Sequence, residues 1–206
     1  MFVVLGDERS GNCLKVKWLL DHLGLAYEWR RVDILTGATR EPEFLALNPA
    51  GQIPVLLLGD GRALAQSNAI LLHLAEATPL VPADSYERAK MLEWMFWEQY
   101  SHEPYLAVRR FQRLYLGRSE EDLDPRLLER GERALAIMEA TLERSDWLVA
   151  GRLTLADICL LPYTQLAPEG GFDLGRWPSV LHWIERVRER LGCGPSSPGL
   201  SMEPRR

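Results

Sequence analysis

The sequence predicts an α/β region followed by an all-helical region, and three observations carry that reading. Short apolar runs closed by turn residues alternate with helix-period segments through the first part of the chain. A stretch with two prolines and little periodicity, "ATPLVPADS" (Ala77 to Ser85), then reads as a linker. Beyond it every patterned segment has helical spacing. The implied boundaries are an α/β domain at 1–76, a linker at 77–84, a helical domain at 85–192 and a tail at 193–206.

The elements follow in order. Phe2 to Leu5 (FVVL) is an apolar run ended by Gly6 and Asp7, as a buried strand closed by a turn would be. From Leu14 the residues Val16, Leu19, Leu20 and Leu23 keep helical spacing, and Gly24 supplies the stop. Tyr27 to Ile34 reads as a second strand, Pro42 to Leu47 as a short helix begun at a proline, and Val55 to Leu58 as a third strand. "GDG" and "RALA" complete a hairpin, and Ser67 stands before an apolar helix. Past the linker, Tyr86 to Tyr115 is one long periodic stretch that Pro104 should kink, by removing a bond to the Tyr100 carbonyl. Arg126 to Arg144 follows Pro125. In "LTLADICLLPY", Thr154 with Asp157 forms a capping box and Leu153 with Ile158 a hydrophobic staple. Pro178 to Leu191 is the last helix, and a tail rich in Gly, Pro and Ser should be loosely ordered.

Composition narrows the function. The 206 residues are 47% hydrophobic and 26% charged, enough to bury a core. The net charge of −5, with signs mixed throughout, offers no positive field for nucleic acid. No apolar run is long enough for a membrane span, and the first segment is too short for a signal-peptide core, so the expected location is cytoplasmic. Three cysteines, Cys13, Cys159 and Cys193, lack metal-ligand spacing and suggest neither a disulfide framework nor a zinc site.

Three short segments carry chemistry. In "NPAGQIPVL", Pro54 precedes a strand, which marks an edge, a plain strand start or a cis bond. If cis, the turn offers the backbone of Ile53 to an extended peptide. In "LAQSNAILLHLA", Gln66 and Ser67 enter a helix, where Ser67 is either a cap or a hydroxyl beside an anion site. In "ERSGNCLKV", Ser10 lies in a strand-to-helix turn and can donate to a thiolate, lowering its pKa; the Asn12 amide can do the same. Cys13 has no Cys-x-x-Cys partner and reads better as packing than as a nucleophile.

In order and spacing these segments resemble the soluble glutathione transferase family. "NPAGQIPVL" resembles its cis-proline segment, "AQSNAILLHLA" its Glu/Gln/Asp-Ser helix start, and "LVAGRLTLADICLLPY" the capping-box segment of its helical domain. The resemblance covers nearly the whole chain. It implies a thioredoxin-like N-terminal domain, an all-α C-terminal domain, glutathione as co-substrate, no metal and a homodimer. It further implies that Pro54 is cis, that Ile53 pairs with the cysteinyl part of glutathione, and that Gln52 lies near the glycyl end. Gln66 and Ser67 would hold the γ-glutamyl end. Ser10 matches the thiolate-stabilising serine of serine-type classes, with Cys13 completing an S-x-x-C pattern. The bacterial nu-like classes have a "T-P-N-G" turn instead, which would place Ser10 on their threonine and Asn12 on their asparagine, although "SGN" lacks the proline. The beta-type cysteine would fall near Asn12, so a protein mixed disulfide is not implied, and no tyrosine precedes Tyr27.

The expected reaction is conjugation of the glutathione thiolate to a small hydrophobic electrophile. A glutathione-dependent disulfide reductase and a non-catalytic binding protein of the same fold are the alternatives. In "WEQYSHEPYLAVRRF" the mixture of aromatic and polar groups suits a second-substrate pocket, with His102, Tyr105 and Arg109 as candidates; core packing and solvation are the plainer readings of each. Trp94 and Trp97 fit either the core or a dimer interface, where Gln99 would reach the partner's glutathione.

Overall fold

The computed structural model describes residues 1–193, and the predicted tail lies outside the described residues except for Cys193. Four strands, β1 (Phe2–Gly6), β2 (Tyr27–Arg31), β3 (Val55–Leu57) and β4 (Ala63–Ala65), form one sheet in the order β2-β1-β3-β4. β1 and β2 are parallel, joined through helix α1 (Gly11–His22), while β3 runs antiparallel to β1 and closes a hairpin with β4. Strand alternation sends neighbours to opposite faces. Val4 and its partner Leu56 meet Val16 and Leu20 of α1 and Ile70 of α3 (Ser67–Ala75). Leu5 and its partner Val55 meet Phe44 of α2 (Pro42–Leu47) on the other side.

The remaining helices are α4 (Ser85–Trp97), α5 (Glu103–Leu114), α6 (Pro125–Leu142), α7 (Leu155–Gln165) and α8 (Pro178–Leu191). Their core takes in Leu19 of α1 and Leu71 of α3, so it is continuous across the two regions. Two stripes of α1 divide the work: Val16 and Leu20 face the sheet, and Lys15 and Leu19 are buried on the adjoining stripe. At the start of α7 the Asp157 carboxylate accepts from the Thr154 N–H at 2.9 Å, the Leu148 N–H at 3.2 Å and the Trp183 indole at 2.9 Å. A carboxylate placed by a local capping motif therefore also ties α7 to α8.

Three local expectations change. α1 starts at Gly11, three residues before the apolar spacing begins at Leu14, with Ser10 as N-cap, so Asn12 and Cys13 lie in its first turn. β2 ends at Arg31, because Asp33 accepts the Leu35 N–H at 2.9 Å and caps a 3₁₀ turn that replaces the strand's last residues. Ser67 is the first residue of α3 and Gln66 its cap. As expected from Pro104, the long stretch after the linker is interrupted around Tyr100, whose carbonyl the proline leaves without a donor, in a π turn at Glu98–His102 where the Glu103 N–H bonds to the Glu98 carbonyl. Pro104 itself sits in the first turn of α5. Among the described residues no helix is long and apolar enough to cross a membrane.

Candidate functional site

The β1–α1 turn is held by the Ser10 N–H on the Asp7 carbonyl at 2.9 Å and by the Asp7 carboxylate on the Arg9 N–H at 2.9 Å. Burial opposes the charge on Asp7, but the bonds from Arg9 outweigh it and hold the carboxyl below its usual pKa. Arg9 also reaches Asp33 at 2.7 Å, joining this turn to the one after β2. Ser10 is the N-cap of α1, yet its side chain makes no capping bond.

Asn12 is the hub of a polar network. Its carbonyl oxygen accepts from the Lys15 ammonium at 2.8 Å and from the Ser67 hydroxyl at 3.1 Å, and its amide donates to Glu103 at 3.3 Å. Lys15 and the hydroxyl thus fix which end of the amide faces which way. Lys15 has no exposed side-chain surface and pairs with Glu98, equally buried, at 2.9 Å. Gln99, Asn68 and the Cys159 thiol also donate to Glu98, at 2.7, 3.4 and 3.3 Å. Burial and the neighbouring Glu98 push the Glu103 pKa up.

These residues open onto a polar cleft with a volume of about 400 Å³, within the range of about 300–1,000 Å³ common for ligand pockets. Ser10, Asn12, Gln52, Ile53, Pro54, Gln66 and Ser67 all line it, together with Arg40, Gln99 and Glu103. The Ile53–Pro54 bond is cis. Asn48 shapes this loop, donating to the Gln52 carbonyl at 2.7 Å and accepting the Ala50 N–H at 3.1 Å. Gln66 holds φ +68° and ψ 110°, a strained backbone for a residue with a side chain. A second, mainly apolar cavity adjoins the first, walled by Ile34, Leu35, Ala107, Phe111, Tyr115 and Tyr163, with Asp7, Arg9 and Arg110 at its polar edge. Ser10 and Ile34 line both, and of the two only Ser10 carries a polar side chain.

His102, Tyr105 and Arg109 line neither cavity, which corrects the expectation for the second pocket. The face of α5 turned to the cavity is Ala107, Arg110 and Phe111, continued by Tyr115, while the stripe through His102 and Arg109 turns inward. Arg109 is buried, donating to the Gly170 carbonyl at 2.8 Å and pairing with Glu120. Tyr105 accepts from Arg130 at 3.0 Å. Trp94 is buried in the chain's own core and packs edge-on against Trp97 at 5.1 Å, while Gln99 lines this chain's own cleft. Cys13 is buried, and burial pushes its thiol up to about 12, which suits packing rather than nucleophilic attack.

His102 carries a pH prediction. Thr164 Oγ donates to the Leu160 carbonyl at 2.7 Å, so the His102 Nε2–H donates to Thr164 at 2.9 Å and Nδ1 is left buried without a partner. Burial lowers the His102 pKa to about 4. The unfolded chain then takes up its proton near pH 6.5 and the folded chain only near 4. Stability is fully present above the first value and is lost as pH falls toward the second, by about 3 kcal/mol at most. Urea unfolding at pH 7 and pH 5 should show the loss in the wild type and a smaller one in His102→Gln; equal losses would show that other groups cause it.

Several residues of the site were not anticipated from sequence. Lys15 left a signal, a charge on the helical stripe it shares with Leu19. Arg40, Glu103, Arg110 and Tyr163 left none: Arg40 reaches the cleft from the turn before α2, and the docking of the helices brings Glu103 to the cleft and Arg110 and Tyr163 to the apolar cavity.

Residues 9–77 match the family model described as the glutathione S-transferase N-terminal domain, and residues 89–190 match that of its C-terminal domain. The chain belongs to the glutathione S-transferase family. Among family members, glutathione S-transferase 3 of Zea mays is 35% identical over 97% of this chain and 94% of its own. The disulfide-bond oxidoreductase YfcG of Escherichia coli is 31% identical, covering 89% of this chain and 88% of its own. The crystal structure of a glutathione S-transferase from Pseudomonas fluorescens is 50% identical, with a TM-score of 0.89 over 91% of this chain and 94% of the other. The transferase URE2P6 of Phanerochaete chrysosporium, solved in complex with oxidized glutathione, is 25% identical with a TM-score of 0.84, covering 93% of this chain and 92% of the other. The thioredoxin-like and all-helical halves are thus those of the glutathione S-transferase architecture.

Proposed function

We propose that the protein binds glutathione and transfers its thiolate to a small hydrophobic electrophile. The observation that carries this reading is the position of Ser10, the one polar side chain shared by the polar cleft and the apolar cavity. Glutathione occupies the cleft, with its cysteinyl part on the backbone of Ile53, its γ-glutamyl end at Gln66 and Ser67, and its glycyl end near Gln52. Its thiol proton leaves to solvent, favoured by the Ser10 hydroxyl and the N-terminal end of α1. The sulfur lone pair then forms a carbon–sulfur bond while the leaving group departs with its electron pair. Ser10 is the principal donor; the Asn12 amide is already engaged by Glu103 and acts second. The names of the maize and Pseudomonas relatives, and the glutathione bound in the Phanerochaete structure, support the reading.

The name of the Escherichia coli relative favours a second reaction at the same site, attack of the thiolate on a disulfide sulfur with release of the other thiolate. Calorimetry with millimolar glutathione tests the shared step, and no heat of binding would overturn both reactions. Parallel assays on a chloroarene and a small disulfide then decide between them. A homodimer in the cytoplasm completes the proposal. Its contact face would be α3 with α4, where Leu72, Val81 and Leu92 line a groove and Phe96 and Tyr100 are exposed. A monomer mass in sedimentation would remove that part.

Gln66 offers a separate check. Glycine adopts positive φ without the steric cost, so Gln66→Gly should stabilise the fold by about 1 kcal/mol. Losing the side chain and the preset backbone should weaken glutathione binding about tenfold, a loss of the size of one charge-assisted hydrogen bond. Unchanged affinity in calorimetry would remove Gln66 from the γ-glutamyl site.

A further inference from the structure

We propose that Arg110, from the helical half of the chain, is a positioning residue that holds the Arg9–Ser10 peptide group and so keeps the Ser10 hydroxyl at the boundary of the two cavities. The inference rests on the glutathione reading above and adds a residue to it.

The Ser10 side chain makes no capping bond, so the placement of its hydroxyl rests on the backbone at both sides of its Cα. Toward α1, the Ser10 carbonyl accepts from the Cys13 and Leu14 N–H groups, each at 3.0 Å. Toward β1, the Ser10 N–H donates to the Asp7 carbonyl at 2.9 Å. The other end of that same peptide group is the Arg9 carbonyl, which accepts from Arg110 Nη1 at 2.8 Å. A peptide group is planar, so bonds at its two ends fix the plane and with it the direction in which Ser10 leaves the turn.

The chemistry of the guanidinium explains why an arginine stands here. Arg110 is buried on α5, and its donors need partners there. Nε pairs with Glu169, which follows α7 in a 3₁₀ turn, and Nη2 donates to the Tyr115 hydroxyl at 3.3 Å. Nη1 is left for the Arg9 carbonyl. The planar fork sends these bonds in set directions, so two anchors in the helical half aim the third at the α/β half. Glu169 offsets the charge of Arg110. Its influence on a thiolate therefore runs through the position of Ser10 rather than through its own field.

Arg110→Met keeps the length of the stem and removes the fork. Glutathione affinity by calorimetry should stay within about twofold, because Ile53, Gln66 and Ser67 are untouched. The pH midpoint of the bound thiol, followed by ultraviolet thiolate absorbance, should rise toward the free value of about 8.5, and kcat below the midpoint should fall by up to about tenfold. Arg110 also walls the apolar cavity, but the midpoint is read with no electrophile present, so a change in that pocket does not move it. Adding Arg110→Met to Ser10→Ala should raise the midpoint no further, because Arg110 acts through Ser10; a charge acting directly on the sulfur would raise it in both backgrounds. Arg110→Lys, which keeps the charge and gives up the fork, should raise the midpoint by less, and it carries the test alone if Arg110→Met does not fold. A wild-type midpoint in the folded variant, or an equal rise with and without Ser10, would overturn the proposal. Failure of the wild type to bind glutathione is a separate outcome, overturning the reading of the site and this inference with it.

Discussion

Ser10→Ala is expected to leave glutathione bound and to slow transfer by on the order of 10²-fold, the usual effect of removing one preorganised donor to a developing or bound anion. The binding contacts proposed for glutathione, at Ile53, Gln66 and Ser67, lie elsewhere in the cleft and survive the change. Only the group facing the sulfur is removed, so kcat should fall with little change in KM for glutathione. The midpoint of the bound thiol should move back toward the free value of about 8.5. Raising the pH should therefore rescue the variant more than the wild type. Asn12→Ala sharpens the comparison: it strips an acceptor from Lys15 and Ser67 and a donor from Glu103. It should cost stability as well as rate. If Ser10→Ala keeps the wild-type rate and thiol midpoint while Asn12→Ala loses both, the roles of the two residues are reversed.

The second large effect is on stability. Lys15→Met should destabilise the fold by about 3–5 kcal/mol, because it leaves Glu98 ionised and buried with no cation beside it. For a chain of this size that is a fall in Tm of roughly 10 °C or more. Burial opposes the ionised form of Glu98, and Lys15 is the leading influence that holds its pKa below the usual value. Removing the lysine therefore reverses the balance. Glu98→Gln placed in the Lys15→Met background removes the orphaned charge and should recover part of the loss. Chemical denaturation of the single and double variants measures this as a coupling energy. A double variant as unstable as the sum of its parts would show that shape, not charge, is what Lys15 contributes.

Much of this architecture was legible locally. Pro178 to Leu191 is a helix in the structure as in the sequence, begun by its proline and ended at Gly192 with φ +67°. The Thr154–Asp157 signature marks the start of α7. The segments around Ser10, Ile53–Pro54 and Gln66–Ser67, far apart in the chain, meet in one cleft. The misplacements have separate causes. The orientation of α5 depends on the π turn at Glu98–His102, which shifts the helical phase so that His102 and Arg109 turn inward and Arg110 and Phe111 face the cavity. The strand predicted through Ile34 was cut short by a side-chain bond from Asp33, a turn signal that an apolar run concealed.

The sequence by itself determined the order of the elements, the change from α/β to all-helical texture, and three of the segments that line the polar cleft. Caps, prolines and apolar periodicity act over a few residues, so their energies can be read where they stand. The tertiary structure decided which face of α5 meets the cavity, the pairing of Lys15 with Glu98, and the packing of the Tyr163 ring on Gly11. Each of these joins residues from separate elements, and the docking of helices on α1 sets it through packing that no local pattern records.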